Sequence, residues 1–222
     1  MISAGNDIID LQLINAERTI TPRFYKKFIT NTEAALYDSL PQQPAPILFE
    51  HFIWLLWSIK ESVYKLMQRH DPTLIFSPVK IVVEKLYFPL TSFNRVLPSE
   101  AKFTGFNEQQ TYNGTIICNN EKYYSRSVIN HLYITTIANN HAKFQNVYWG
   151  TKYIQHTEPA NQSKTVREFA LKQLACTLKT NDLQLNKTSQ GCPVLLNGLQ
   201  ETELPVSLAH HGHYVAYSFL HK

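Results

Sequence analysis

Between Trp57 and Lys65 the chain carries an indole, a carboxylate and two ammonium groups within nine residues: Trp57-Ser58-Ile59-Lys60-Glu61-Ser62-Val63-Tyr64-Lys65. Steps of four put Trp57, Glu61 and Lys65 on one stripe of a helix, with Lys60 beside them. Alone, Glu61 and Lys65 would form an i,i+4 ion pair worth about 0.2–0.5 kcal/mol. Here a carboxylate and two ammonium groups crowd the edge of an apolar helix under a large aromatic side chain. A second group lies near the end of the chain, in Pro205-Val206-Ser207-Leu208-Ala209-His210-His211-Gly212-His213. Three histidines suggest a metal, but a strand and tight turn cannot converge all three. Neither Cys nor carboxylate stands among them, which argues against zinc.

The elements that must position these groups can be read from spacing. Apolar residues at Phe52, Leu55, Leu56, Ile59, Val63 and Leu66 predict a half-buried helix over 47–69. A first strand is expected within 2–11. Thr21-Pro22 opens a helix whose Phe24, Phe28 and Ile29 turn inward, while Arg23, Lys26 and Lys27 face solvent. Thr30 or Thr32 caps a following helix through Leu36 and Leu40, and Pro41, Pro44 and Pro46 then break the chain. A strand follows over 79–88, and the signals from 90 to 140 are β. A hairpin turn is predicted at Asn113-Gly114, with Asn119-Asn120 continuing the meander. The polar stretch 139–163 reads as a connection between halves. Thr165 and Glu168 stand at capping-box spacing, opening a helix through Phe169, Ala170, Leu174 and Leu178.

Trp-x-x-Lys-Glu-Ser-x-x-Lys resembles the signature helix of the 4′-phosphopantetheinyl transferases, with every specified position present. Gly5-Asn6-Asp7-Ile8 is similar to that family's Gly-x-Asp strand. Gly191-Cys192-Pro193 and Pro205-Val206-Ser207-x-x-His210-x-Gly212 resemble its Gly-x-Pro and Ser-His segments. Arg23-Phe24-x-x-x-Phe28-x-Thr30-x-x-Glu33 resembles the segment after the metal strand in its short members. Two departures stand out. Ile9 occupies the place of a further acidic ligand, and Ala209 that of a serine before the histidine. The resemblance covers roughly 1–88 and 163–222 well and the middle poorly.

The resemblance implies a Mg²⁺-dependent enzyme that moves the phosphopantetheine arm of coenzyme A to a serine of an apo acyl or peptidyl carrier protein, releasing 3′,5′-ADP. It implies Asp7 and Glu61 as metal ligands. Lys65 would act on the diphosphate or leaving group, Lys60 would orient or neutralise nearby, and Glu61 is the candidate general base. His210, with Ser207 nearby, would bind a coenzyme A phosphate, and Arg167 the nucleotide 3′-phosphate. The basic helix around Arg23 would face an acidic carrier. An α+β fold of two similar halves packed as a pseudo-dimer is expected, with halves over 1–140 and 141–222. The larger, duplicated members of the family carry the Ser-His motif before the Gly-x-Asp and Lys-Glu motifs; the reverse order here leaves a second arrangement open, a short enzyme with an insertion over 86–161. A non-catalytic relative binding coenzyme A or a carrier is the alternative from another class, motivated by Ile9 and Ala209. A nucleotide hydrolase is disfavoured by the lack of a Gly-rich phosphate loop.

The bulk properties set outer bounds. The 222 residues, 44% hydrophobic and 17% charged, suffice for a sizeable core. A net charge of +4 without a basic run fits a phosphate ligand or acidic partner better than nucleic acid. No apolar stretch approaches the ~20 residues of a membrane span, and the first residues do not form a signal peptide. Three scattered cysteines fit a reducing compartment, with the cytoplasm as the expectation.

Overall fold

The computed structural model describes residues 4–39, 47–91 and 99–221. Strand β1 (Ala4–Asp10) is followed by the short helices α1 (Ala16–Thr19), α2 (Pro22–Tyr25) and α3 (Asn31–Asp38), then by the long α4 (Phe49–Gln68). Strands β2 (Val82–Tyr87), β3 (Glu100–Thr104), β4 (Tyr112–Cys118), β5 (Glu121–Ile129), β6 (Tyr133–Asn139) and β7 (Val147–Tyr153) lead to a second long helix, α5 (Pro159–Leu178). β8 (Leu183–Lys187), β9 (Pro193–Asn197), β10 (Gln200–Glu201), β11 (Val206–His211) and β12 (Tyr214–Leu220) complete the order. The fold is mixed α+β, and its strand pairs are antiparallel.

One sheet runs β1-β6-β5-β4-β2, a second β11-β12-β7-β3, and a small third β10-β9-β8. Side-chain alternation along β1 explains how the layers stack. Ile9 joins Phe52, Leu56, Ile59 and Val63 in the core beneath α4. On the other face, Ala4 packs with Val147 and Trp149, and Ile8 with Ala209, Tyr214 and Ala216, all from the second sheet. That sheet's opposite face buries Val215, Tyr217 and Phe219 against Val166, Phe169 and Leu174 of α5. The two sheets thus lie face to face, with α4 outside one and α5 outside the other.

A repeated order underlies this layering. In the first sheet β1 leads to the 20-residue α4, and the later hairpin β5–β6 returns so that β6 pairs with β1. In the second, β7 leads to the 20-residue α5, and the hairpin β11–β12 returns so that β12 pairs with β7. Tyr133 and Tyr214 each open the returning strand, and their rings meet at 4.9 Å. The sheets are not separated cleanly along the chain. β3, from within residues 1–140, pairs with β7.

Several local expectations are corrected. Asn113-Gly114 lies inside β4, where Gly114 stands opposite Ser125 with no room for a Cβ beside the Ser125 hydroxyl. The hairpin turn is at Asn119-Asn120, whose φ values of 50° and 62° are those of a two-residue primed turn. Residues 139–163 are not a plain connection. They hold β7, which buries Val147, Trp149 and Thr151 in alternation, and the start of α5 with Pro159 in its first turn. Thr165 is therefore interior to α5. Thr30, rather than Thr32, caps α3 through a reciprocal box with Glu33. Within 79–88 the strand begins at Val82, after a 3₁₀ turn at Pro78–Lys80. Leu40, Pro41, Pro44 and Pro46 lie outside the described residues.

Candidate active site

Gly5 sets the distance between β1 and α4. A Cβ there would collide with the Ser62 carbonyl and come within 2.8 Å of the Leu66 nitrogen, both on the helix backbone. The missing side chain lets strand and helix touch, and so lets Asp7, two residues on and on the same face, reach the stripe of Glu61 and Lys65. The Lys65 ammonium stands 3.1 Å from Asp7 Oδ1 and 3.1 Å from Glu61 Oε1. The Trp57 indole donates to Glu61 Oε2 at 2.9 Å, fixing its carboxylate. Asp7 Oδ2 is buried and makes no hydrogen bond of ordinary geometry, although the Ser58 hydroxyl lies close enough to lower the Asp7 pKa.

Two carboxylates here share one ammonium. Burial raises the Asp7 pKa to about 7; the Lys65 charge opposes that rise and the Glu61 charge adds to it. The Asp7 and Glu61 anions in turn raise the pKa of Lys65 against the effect of burial. Among the described residues no three His, Cys, Asp or Glu side chains gather as a metal cluster. Two carboxylates with one spare buried oxygen nevertheless fit Mg²⁺, which completes its shell with water and phosphate oxygens. Ile9, in the place of a third acid, is 2% exposed in the apolar core.

Lys60 is not brought to this group. Its ammonium is buried, 2.7 Å from Glu33 Oε1, and donates to Glu33 Oε2 and to the carbonyls of Pro78 and Ile81. Glu33 also accepts from the backbone of Thr30 and Val83. Sequence reasoning missed Glu33 as the partner of Lys60; the Thr30-x-x-Glu33 spacing of a capping box was the signal that could have placed it at a helix start.

The inward face of the C-terminal motif covers the free edge of β1, an outer strand of its sheet as β11 is of the other. The Asn6 backbone N–H donates to Ser207 Oγ at 2.9 Å, and that of Asp10 to His211 Nδ1 at 2.9 Å. The His213 N–H in turn donates to Asp10 Oδ2 at 2.9 Å. Side chains of β11 thus take the place of a backbone ladder. Alternation aims the Ile8 N–H at this edge too, opposite Ala209, which has no acceptor to offer. Serine at that position would supply one. Ser207 is buried and holds β1. His210 is exposed at the rim. Its pKa is lowered by partial removal from water and then by the Lys65 and Lys187 cations, while Glu61 opposes them. Lys65, Lys187 and Glu61 are the charges that His210 feels, which sets it on the Lys65 side of the seam. Lys187, at the end of β8, had no sequence signal beyond its charge.

Arg167 is half-exposed on α5, without a hydrogen bond or ion pair among the described residues. Beside Trp54 and Trp57, α1 and α2 present a basic and apolar surface. Arg18, Arg23, Lys26 and Lys27 are exposed there, with Leu13 and Ile20 among them. Trp54 donates to Thr19 Oγ1 at 3.1 Å and Phe28 packs edge-on to Trp57, which fixes this surface to the helix of Glu61. Among the described residues no helix is long and apolar enough to cross a membrane.

The site residues of the first sheet lie in the stretch with known kin. A family model described as the 4′-phosphopantetheinyl transferase superfamily matches residues 3–116, just over half of the chain, and spans β1, α4 and both carboxylates. No curated protein and no solved structure matches the chain significantly. The matched length places this chain in the 4′-phosphopantetheinyl transferase superfamily.

Proposed function

We propose that the protein transfers the 4′-phosphopantetheine arm of coenzyme A to a serine of an apo acyl or peptidyl carrier protein, with Mg²⁺ and release of 3′,5′-ADP. The observation that carries this reading is the contact of Asp7, Glu61 and Lys65 across β1 and α4, with one buried carboxylate oxygen left over. Attack of a hydroxyl on a diphosphate needs charge neutralisation, alignment and a proton acceptor. Asp7 and Glu61 would hold Mg²⁺, whose chemistry here is to neutralise and orient the diphosphate oxygens. Lys65, freed from its two carboxylates, donates to the diphosphate and balances the leaving phosphate. Glu61, oriented by Trp57, is the general base for the serine hydroxyl.

The donor lies along the seam between the sheets, where His210 and Lys187 offer phosphate contacts and Ser207 keeps β11 against β1. Arg167 is kept as a candidate for the 3′-phosphate. Lys60 serves by holding α4 in place. The repeated strand–helix–hairpin order supports two halves packed as a pseudo-dimer, one carrying the carboxylates and the other His210. The basic and apolar surface of α1 and α2 suits an acidic carrier, its charges steering approach toward Glu61. The test is intact mass of an apo carrier protein incubated with the protein, Mg²⁺ and coenzyme A. A gain of one phosphopantetheine, roughly a third of a kilodalton, that disappears without metal supports the reading. Binding of coenzyme A with no gain across several carriers would instead support the non-catalytic relative.

A further inference from the structure

We infer that Arg69 is a positioning residue: it ties the end of α4 to the strands carrying Pro193 and Ser207, and so sets the width of the donor site. The inference rests on the transfer reading above. Arg69 extends the stripe of Trp57, Glu61 and Lys65 by one more step of four and caps α4. Its Nη2 donates to the Val206 carbonyl, immediately before Ser207, and its Nη1 reaches the Pro193 carbonyl at 3.5 Å. Beside it, Cys192 Sγ lies 3.8 Å from the Gln68 carbonyl, so the Gly191-Cys192-Pro193 segment closes on the same helix end. One side chain therefore joins the Lys-Glu helix to both C-terminal motifs.

Partial burial makes this arrangement unusual for a residue concerned with stability alone. The guanidinium is held by carbonyls and has no carboxylate partner among the described residues, and its Nε is buried without an acceptor. An apolar side chain would fill the space without that desolvation. What arginine adds is a rigid planar fork that holds two acceptors at a fixed angle, which lysine cannot do. The hydrogen bonds of Asn6, Asp10 and His213 along the seam fasten β1 to β11 but do not hold α4. Arg69 fixes the far end of α4, and with it the distance from Lys65 to His210. A donor gripped from both sides feels a change in that distance, whereas a carrier docked on α1 and α2 does not.

Arg69→Met and Arg69→Lys test this by steady-state transfer with each substrate varied, and by calorimetric binding of 3′,5′-ADP, which needs no turnover. In Arg69→Met, the KM for coenzyme A and the Kd for 3′,5′-ADP are expected to rise about tenfold or more, while the KM for the carrier stays within about twofold. Arg69→Lys, which can reach one carbonyl, falls between. Thermal melting confirms folding at the assay temperature, and Arg69→Lys carries the test if the methionine variant does not fold. Folded variants with wild-type KM and Kd would overturn the inference and leave Arg69 a structural residue. A wild-type protein that neither binds 3′,5′-ADP nor transfers would remove the transfer reading itself, and this inference with it.

Discussion

Lys60 and Lys65 leave the same helix five residues apart, about 140° around its axis, and meet opposite fates. Lys60 points into the protein, where Glu33 and the carbonyls of Pro78 and Ile81 take its three protons. Glu33 is equally engaged, by Lys60, Thr30 and Val83. Nothing in that pair is left to bind a ligand. Lys65, a quarter exposed, lies between two carboxylates with only one charge to offer, and Asp7 Oδ2 makes no hydrogen bond of ordinary geometry. A complete buried pair specifies structure. An incomplete one, partly open to solvent, is what the proposed reading needs to take a cation and a phosphate.

Four expected outcomes test this contrast, the largest first. Glu61→Gln should lower transfer by about 10²- to 10⁴-fold while shifting unfolding free energy by less than about 1 kcal/mol, as read by intact mass and urea denaturation. Activity near wild type would break the distinction, since the open pair would then be as structural as the sealed one. Glu33→Leu should do the reverse. Leaving Lys60 buried and unpaired costs about 3–5 kcal/mol, and the double variant with Lys60→Met should recover most of it. A urea midpoint unchanged in the single variant would show that Lys60 escapes to water.

The third outcome concerns pH. Folded Asp7 keeps its proton up to about pH 7, against 3.8 in the unfolded chain. Between those values the folded state binds more protons, so metal-free stability should fall as pH rises from about 4 through about 7. Mg²⁺ requires the ionised carboxylate, so its apparent affinity should rise about tenfold per pH unit across the upper part of that range and level off above it. Calorimetry at about pH 6 and about pH 8 reads the difference, and equal affinities would count against Asp7 as a ligand. The smallest effect belongs to Thr30→Ala, which removes one support of Glu33 and costs about 1 kcal/mol. Transfer by the folded variant should not change. A loss of activity would mean that the two pairs communicate along α4.

The same contrast shows how far the sequence could be read. The period of 47–69 gave helix α4, and the Trp57–Glu61–Lys65 stripe appears as spaced. Asp7 was legible through its Gly-x-Asp setting, and the structure adds the cause, the close approach that Gly5 permits. Lys60 was not legible, because a lysine beside an active stripe looks alike whether its neighbour is water or Glu33, 27 residues away. Asn113-Gly114 misled because the dipeptide suits a primed turn and also the tight packing inside a sheet. Arg69 and Lys187 carried no local signal, for their partners lie in other elements.

By itself, the sequence determined what is local: the helical period of α4, the alternation of β1, and a family word whose residues lie within about two turns of each other. Only the tertiary structure decided which lysine is sealed and which is open. It also decided that β3 crosses to the second sheet, and that β11 meets β1 through Ser207 and His211 while Ala209 between them has no side-chain acceptor to offer. The reason is physical. Propensity and spacing act over a few residues, whereas burial, desolvation and the pairing of charges depend on elements that meet only when the chain has folded.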